Sequence, residues 1–185
     1  SHTQQSPGAE VALKISGTGQ ILDDLLQERL ELGLVGGMSS VRGLEWQACF
    51  GDELILIVPP RHRWAARERI DPVELLDEPM LLREAGSGTR TTLEQYLRQH
   101  RIEPAKLRVL AEIGSNEAVK QGVRGGLGVA VISALSVSDE IDRGALLSLR
   151  LSGEPLRRPF YLVQRSGRQL TPAAETFRAL ILASR

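Results

Sequence analysis

Apolar residues recur along this chain with two spacings, and the spacing switches at short intervals. Glu10 to Ile15, EVALKI, alternates apolar and polar positions, which predicts a half-buried strand. From Thr18 to Leu30 the side chains Ile21, Leu22, Leu25, Leu26 and Leu30 return every three or four residues, which predicts a helix capped by Thr18. Leu32 to Val35 is short and wholly apolar, as a strand covered on both faces must be. Leu44 to Val58 alternates, then runs continuously at LILIV until Pro59-Pro60 stops it. That length exceeds an average strand and suits one that passes between two bodies of structure.

Asp71-Pro72 predicts a short helix and Met80 to Arg83 a buried strand. The turn Gly86-Ser87-Gly88-Thr89 then leads directly into a helix with Leu93, Tyr96 and Leu97 on one face. Arg108 to Ile113 reads as a strand, Ser115 caps a helix that Gly125-Gly126 ends after Arg124, and Val129 to Ser133 is again strand-like. Leu146 to Leu151 and Pro159 to Val163 alternate weakly, and Thr171-Pro172 starts a last helix with Phe177, Leu180 and Ile181 on one face. The alternation predicts an α/β architecture with mostly parallel sheets. Ligands of such sheets collect beyond the carboxyl ends of the strands. Three junctions have that form here: Val35 to Ser40, Glu84 to Arg90, and Gly114-Ser115-Asn116.

Composition narrows the function classes. A content of 42% hydrophobic and 25% charged residues is that of a chain able to bury a core. Lys and Arg total 23, matching 23 Asp and Glu, so the chain lacks the basic footprint that displaces phosphate counterions from duplex DNA. Cys49 is the one cysteine, and His2, His62 and His100 are far apart, so neither a disulfide nor a metal ligand set is expected. No apolar run approaches the roughly 20 residues needed to span a bilayer, and the polar opening SHTQQSPGAE is no signal peptide. A cytoplasmic protein without membrane contact is the expectation.

The chemistry points to binding. A helix start exposes unpaired N–H groups and a partial positive charge, which attract anions. Gly86 and Gly88 allow close backbone approach, Ser87 and Thr89 add hydroxyls, and Arg90 offers a fork for a planar oxyanion. The turn alone leaves two readings open, because Ser87 could equally serve only to cap its own helix. No Walker or dinucleotide motif is present, and the glycines of RGGLGVAV follow a helix and precede a strand, the order of a helix stop and a close-packed turn. Neither a nucleophile elbow nor a base beside a serine is evident, and no cofactor is expected. Among the carboxylate pairs Asp23-Asp24 and Asp52-Glu53, the first is expected on the solvated face of its helix. Trp46 and Trp64 are expected in core or interface in preference to a pocket.

Four segments in this order, ILDDLLQERLELGLVGG, DELILIVPPRHRWA, LLREAGSGTR and GSNEAVKQGVRGGLGVAVIS, resemble the effector-binding domain of LysR-type transcriptional regulators, and TPAAETFRALI resembles that family's closing helix. The resemblance covers essentially the whole chain. It implies a type II periplasmic-binding-protein-like fold: two Rossmann-like lobes joined by two crossover strands, lobe I being residues 1–50 plus 163–185 and lobe II residues 51–162. It implies a small effector in the cleft, touched by Ser39, Ser40, Ser87, Gly88, Thr89, Arg90, Ser115 and Asn116, and the helix-start donors with Arg90 point to an anionic one. It further implies a homodimer or homotetramer with the helix from Thr18 to Leu30 as a contact, and promoter binding only through a helix-turn-helix domain absent from this sequence. Two departures stand out. The family's first strand and hydroxyl-rich helix start would precede SHTQQSPGAE, and PPRHRWA replaces the usual PPDHPLA. A periplasmic solute receptor, or a dehydratase or transferase on the same scaffold, are the competing classes.

Overall fold

Residues 14, 16–36 and 41–183 are described by the computed structural model. In chain order the elements are α1 (Thr18–Leu26), β1 (Leu32–Gly36), β2 (Leu44–Val58), β3 (Arg69–Ile70), β4 (Pro79–Arg83), α2 (Gly88–Gln99), β5 (Arg108–Ile113), α3 (Asn116–Arg124), β6 (Ala130–Ser133), α4 (Ser138–Asp142), β7 (Leu147–Leu151), β8 (Arg157–Arg165) and α5 (Pro172–Ala183). Contacts divide the chain into two units: Ser1–Phe50 with Pro159–Arg185, and Gly51–Arg158. The strand expected at residues 10–15 falls outside the described residues apart from Lys14.

In the first unit, α1 lays Leu22 and Leu25 against Val35 of β1, Leu44 of β2 and Val163 of β8. β1 pairs antiparallel with β8, from Leu32↔Gln164 to Gly36↔Phe160. Trp46 packs edge-on to Tyr161 at 6.1 Å. Two expectations are corrected here. α1 stops at Leu26, four residues before Leu30, and its N-cap is Gly17, not Thr18. Glu28 adopts φ 59° and reverses the chain. That reversal returns Arg29 to the helix, where it meets Asp24 at 2.5 Å, with Lys14 also at 2.5 Å. Asp24 is therefore not solvated but 1% exposed. The Lys14 bond first, then that from Arg29, pulls its carboxyl down to about 2.

The second unit explains why LILIV is apolar without interruption. Leu54, Leu56 and Val58 face one core with Leu93, Tyr96 and Leu97 of α2, while Ile55 and Ile57 face another with Val119 and Val123 of α3. β2 is thus a central strand with a helix layer on each side, and each buried aliphatic side chain contributes about 1.5–3 kcal/mol. Trp64, 1% exposed, belongs to the first of these cores. The 3-10 turn Pro72–Asp77 begins with a reciprocal cap between Asp71 and Glu74, and Arg67, then the Asp71 N–H, holds the Glu74 carboxyl at about 2.

Strand directions refine the expectation of mostly parallel sheets. β4 is parallel to β5, and a parallel bridge Met80↔Val129 joins β4 to the start of β6. β6 and β7 are both antiparallel to β2, and β3 is parallel to β7. So β3, β4, β5, β6 and β7 run one way and β2 alone runs against them. The exception is the strand that carries the chain into the unit.

Candidate functional site

The carboxyl ends of β4, β5 and β6 share one edge of this sheet, and β2 begins its course through the unit at the same edge because it runs the other way. Arg83 and Ile113 are register partners at the ends of β4 and β5, so the turns that follow leave side by side. After β4 the chain turns at Gly86, whose φ of 84° suits glycine, and enters α2. After β5 it enters α3 through Gly114 and Ser115. Two helix N-termini are thereby brought to one corner.

Ser87 occupies the N-cap position of α2, yet its side chain makes no hydrogen bond to the helix. It is nevertheless 9% exposed. Its hydroxyl is thus not spent on capping its own helix. By contrast Ser115 is a working cap, its Oγ accepting from the Ala118 N–H at 3.2 Å. Thr89 is 2% exposed, and its Oγ1 accepts from Nη1 of Arg158 at 3.1 Å. Asn116 Oδ1 accepts from Nη1 of Arg83, which also bonds Glu84 at 2.8 Å.

These bonds share one polarity. Ser115 and Thr89 accept through oxygen, which leaves each hydroxyl hydrogen to be donated, and Asn116 accepts through its carbonyl, which leaves its NH₂. Helix geometry adds the N–H groups of Gly88, Thr89 and Arg90, which have no carbonyl one turn back. The corner therefore keeps donors available, while the Ser115, Thr89 and Asn116 oxygens each already accept one bond from the protein. Its cations are matched by carboxylates. Arg90 lies between Glu94 and Glu112, each at 2.8 Å, and the bond to Glu94 first, then that to Glu112, raises its pKa. In this arrangement the guanidinium braces α2 against β5 and does not present an open fork.

Of the residues singled out from sequence, Ser87, Gly88, Thr89, Arg90, Ser115 and Asn116 lie at this corner, while Ser39 and Ser40 are outside the described residues. Three participants were not anticipated: Arg83, Asp52 and Arg158. Asp52 carried a weak signal as a charged residue two positions before the LILIV run. Arg158 carried none, since Thr89 is 69 positions away in the chain. Asp52 is 1% exposed, holds Nη2 of Arg158 at 2.8 Å, and its Oδ1 has no hydrogen-bond partner among the described residues. A separate cavity of about 430 Å³, lined by residues such as Glu53, Arg69 and Arg150, includes none of these groups. Among the described residues no group of three His, Cys, Asp or Glu side chains is placed to hold a metal ion. No described helix is long and apolar enough to cross a membrane.

Comparison with known proteins gives the family. A family model described as the LysR substrate binding domain matches residues 1–185. The chain is 34% identical over 174 residues to the HTH-type transcriptional activator CmpR of Synechocystis, covering 94% of this chain and 56% of that protein. It is 37% identical over 183 residues to the HTH-type transcriptional regulator CbbR of Rhizobium meliloti, covering 97% and 57%. The chain thus spans little more than half the length of these curated relatives. Among solved structures, the Synechocystis CcmR regulatory domain in complex with 2-PG matches with a TM-score of 0.86 at 32% identity, covering 97% of this chain and 85% of that one. The effector binding domain of QuiR in complex with shikimate matches with a TM-score of 0.80 at 19% identity, a likeness of fold.

Proposed function

The chain belongs to the LysR substrate-binding domain family, with its type II periplasmic-binding-protein-like fold, and we propose from this that it is the ligand-sensing part of a cytoplasmic transcriptional regulator. Its ligand is a small organic anion, held and released unchanged. The observation that carries this reading is the common polarity of the corner, where Ser115, Thr89 and Asn116 each accept a bond from the protein and so each retain a donor for a ligand. A carboxylate or phosphate, rich in acceptors and without donors, is the complement. Because the neighbouring cations are already paired, affinity comes from oriented N–H and O–H dipoles and not from net charge. The structure of a relative with 2-PG supports the same class of ligand.

Ser87, Gly88, Thr89, Ser115 and Asn116 are the proposed contacts, with Ser39 and Ser40 joining them as the resemblance implies. Arg90 is assigned the bracing role its ion pairs describe. Control of transcription then follows from linkage. A ligand shifts an equilibrium between two states only by its differential affinity for them, and the DNA-binding part of a full-length protein would read that shift.

The direct test is calorimetric titration of the chain with 2-PG, shikimate and inorganic sulfate, repeated on Ser87→Ala. We expect an anion to bind with one-to-one stoichiometry and Ser87→Ala to weaken it about tenfold, the scale of a lost hydrogen bond to a charged group. Binding that is indifferent to Ser87 would sink the assignment of the corner.

A second copy of the chain is the proposed protein partner. β5 pairs with β4 on one side only, among the described residues, and presents Val109 at 41% and Leu110 at 55% exposure. An open edge strand with apolar side chains is ordinarily covered in the working assembly. Leu110→Lys is expected to move the sedimentation coefficient from that of a dimer to that of a monomer. An unchanged value would place the interface elsewhere.

A further inference from the structure

The Arg158 side chain joins a proposed ligand contact to both strands at the boundaries of the second unit. Asp52 stands next to Gly51, where β2 enters that unit, and Arg158 is its last residue, on β8. One guanidinium nitrogen bonds Asp52 Oδ2 at 2.8 Å and the other bonds Thr89 Oγ1 at 3.1 Å. The side chains of Arg158, Asp52 and Thr89 are 13%, 1% and, for the whole threonine, 2% exposed, so water does not dilute the interaction. Leu54 N–H adds a 2.7 Å bond to the Leu156 carbonyl and pins the same two segments together.

From this we infer that Arg158 is a positioning residue for ligand binding, acting through Thr89 and oriented by Asp52. The inference rests on the proposed role of Thr89. A free threonine hydroxyl can both donate and accept and can rotate between partners. Here the Arg158 N–H occupies an oxygen lone pair, so the Thr89 hydrogen points away from the guanidinium and its oxygen is polarised toward donation. Asp52 fixes the guanidinium plane, and one guanidinium reaches two acceptors because its nitrogens diverge from a rigid fork. Lysine at this position would keep the charge beside Asp52 but, as a single ammonium, would not reproduce that two-pronged geometry. Selectivity follows as well: a Thr89 polarised toward donation favours ligands with an acceptor at that point over those with a hydroxyl donor there.

A double-mutant cycle tests this, with 2-PG as the probe and calorimetry as the readout. Thr89→Val and Arg158→Lys are each expected to weaken binding about tenfold, the size of one lost bond to a charged ligand. The double variant is expected to be no weaker than either alone. Losses that multiply to about a hundredfold, or an Arg158→Lys variant that binds normally while Thr89→Val does not, overturn the inference and leave the proposed site standing. A Thr89→Val variant with unchanged affinity removes the role of Thr89 and the inference with it. Amide hydrogen exchange supplies a reading that needs no ligand. Residues 88–92 are expected to exchange faster in both single variants, to the same extent, with no further gain in the double. Unaltered protection in Arg158→Lys would overturn the positioning role by itself. Using the pair Asp52→Asn with Arg158→Met as one arm of the cycle against Thr89→Val removes both buried charges together, leaves no isolated ion and guards against loss of the fold.

Discussion

Arg158→Met lowers the unfolding free energy of the protein by about 3–5 kcal/mol, an expected result that follows from what the substitution leaves behind. Asp52 is 1% exposed, its Oδ2 is held by Arg158 at 2.8 Å, and its Oδ1 has no hydrogen-bond partner among the described residues. Removing the guanidinium strands a carboxylate that is 1% exposed without its countercharge. The attraction the pair contributes is much smaller than this penalty, because both ions were desolvated to form it. Adding Asp52→Asn to the same chain is therefore expected to recover most of the loss. Urea unfolding gives the answer through the midpoint at unchanged slope. A single variant within 1 kcal/mol of wild type would mean that water reaches Asp52, and a double variant no better than the single would mean that Arg158 stabilises through packing alone.

Gly128→Ala is the second large effect, of about 1–3 kcal/mol or more in the destabilising direction. A Cβ built on Gly128 would stand 2.3 Å from the Pro79 carbonyl oxygen and 3.0 Å from its carbon. Both are backbone atoms that cannot swing aside. The adjacent bonds Val129 N–H to Pro79 O at 2.8 Å and Leu81 N–H to Val129 O at 2.9 Å stitch β4 to the start of β6, so relief of the clash must open that seam. Since β4 carries the turn that leads to Ser87 and Thr89, ligand affinity should fall together with the thermal midpoint. Gly19→Ala is the contrasting control. Nothing lies within 4 Å of its added carbon, it sits inside α1, and alanine there is expected to stabilise by up to about 1 kcal/mol. If the two substitutions behaved alike, close backbone approach would not be what glycine provides at 128.

The comparison of these two glycines also bears on what a sequence can disclose. RGGLGVAV reads as a helix stop and a tight turn, and α3 does end with Gly125 as its C-cap residue. Nothing in the motif says that Gly128 faces Pro79, because that contact joins segments about fifty residues apart. The same division runs through the helices. Ser115 and Ser87 look equivalent in sequence, each a serine before a helix, yet one caps with its hydroxyl and the other does not. Side-chain torsion at an N-cap responds to surroundings that lie outside the local pattern. Asp24 shows the reverse failure: a polar residue on an amphipathic helix was expected in solvent, and a chain reversal at Glu28 enclosed it between Arg29 and Lys14.

By itself, then, the sequence determined the elements whose signals are local: the strand Leu44–Val58 from its uninterrupted apolar run, α3 from its serine cap and glycine stop, and the two hydroxyl-bearing turns that begin α2 and α3. Periodicity and capping act over one or two turns of chain, so they are written in neighbouring residues. Only the tertiary structure decided that β2 runs against its neighbours, and that Arg83 spans to Asn116. It likewise decided that Arg158 closes on Asp52 and Thr89 from 106 and 69 positions away. Those contacts are set by strand direction and by the need of buried charges for partners, and both are properties of the folded chain as a whole.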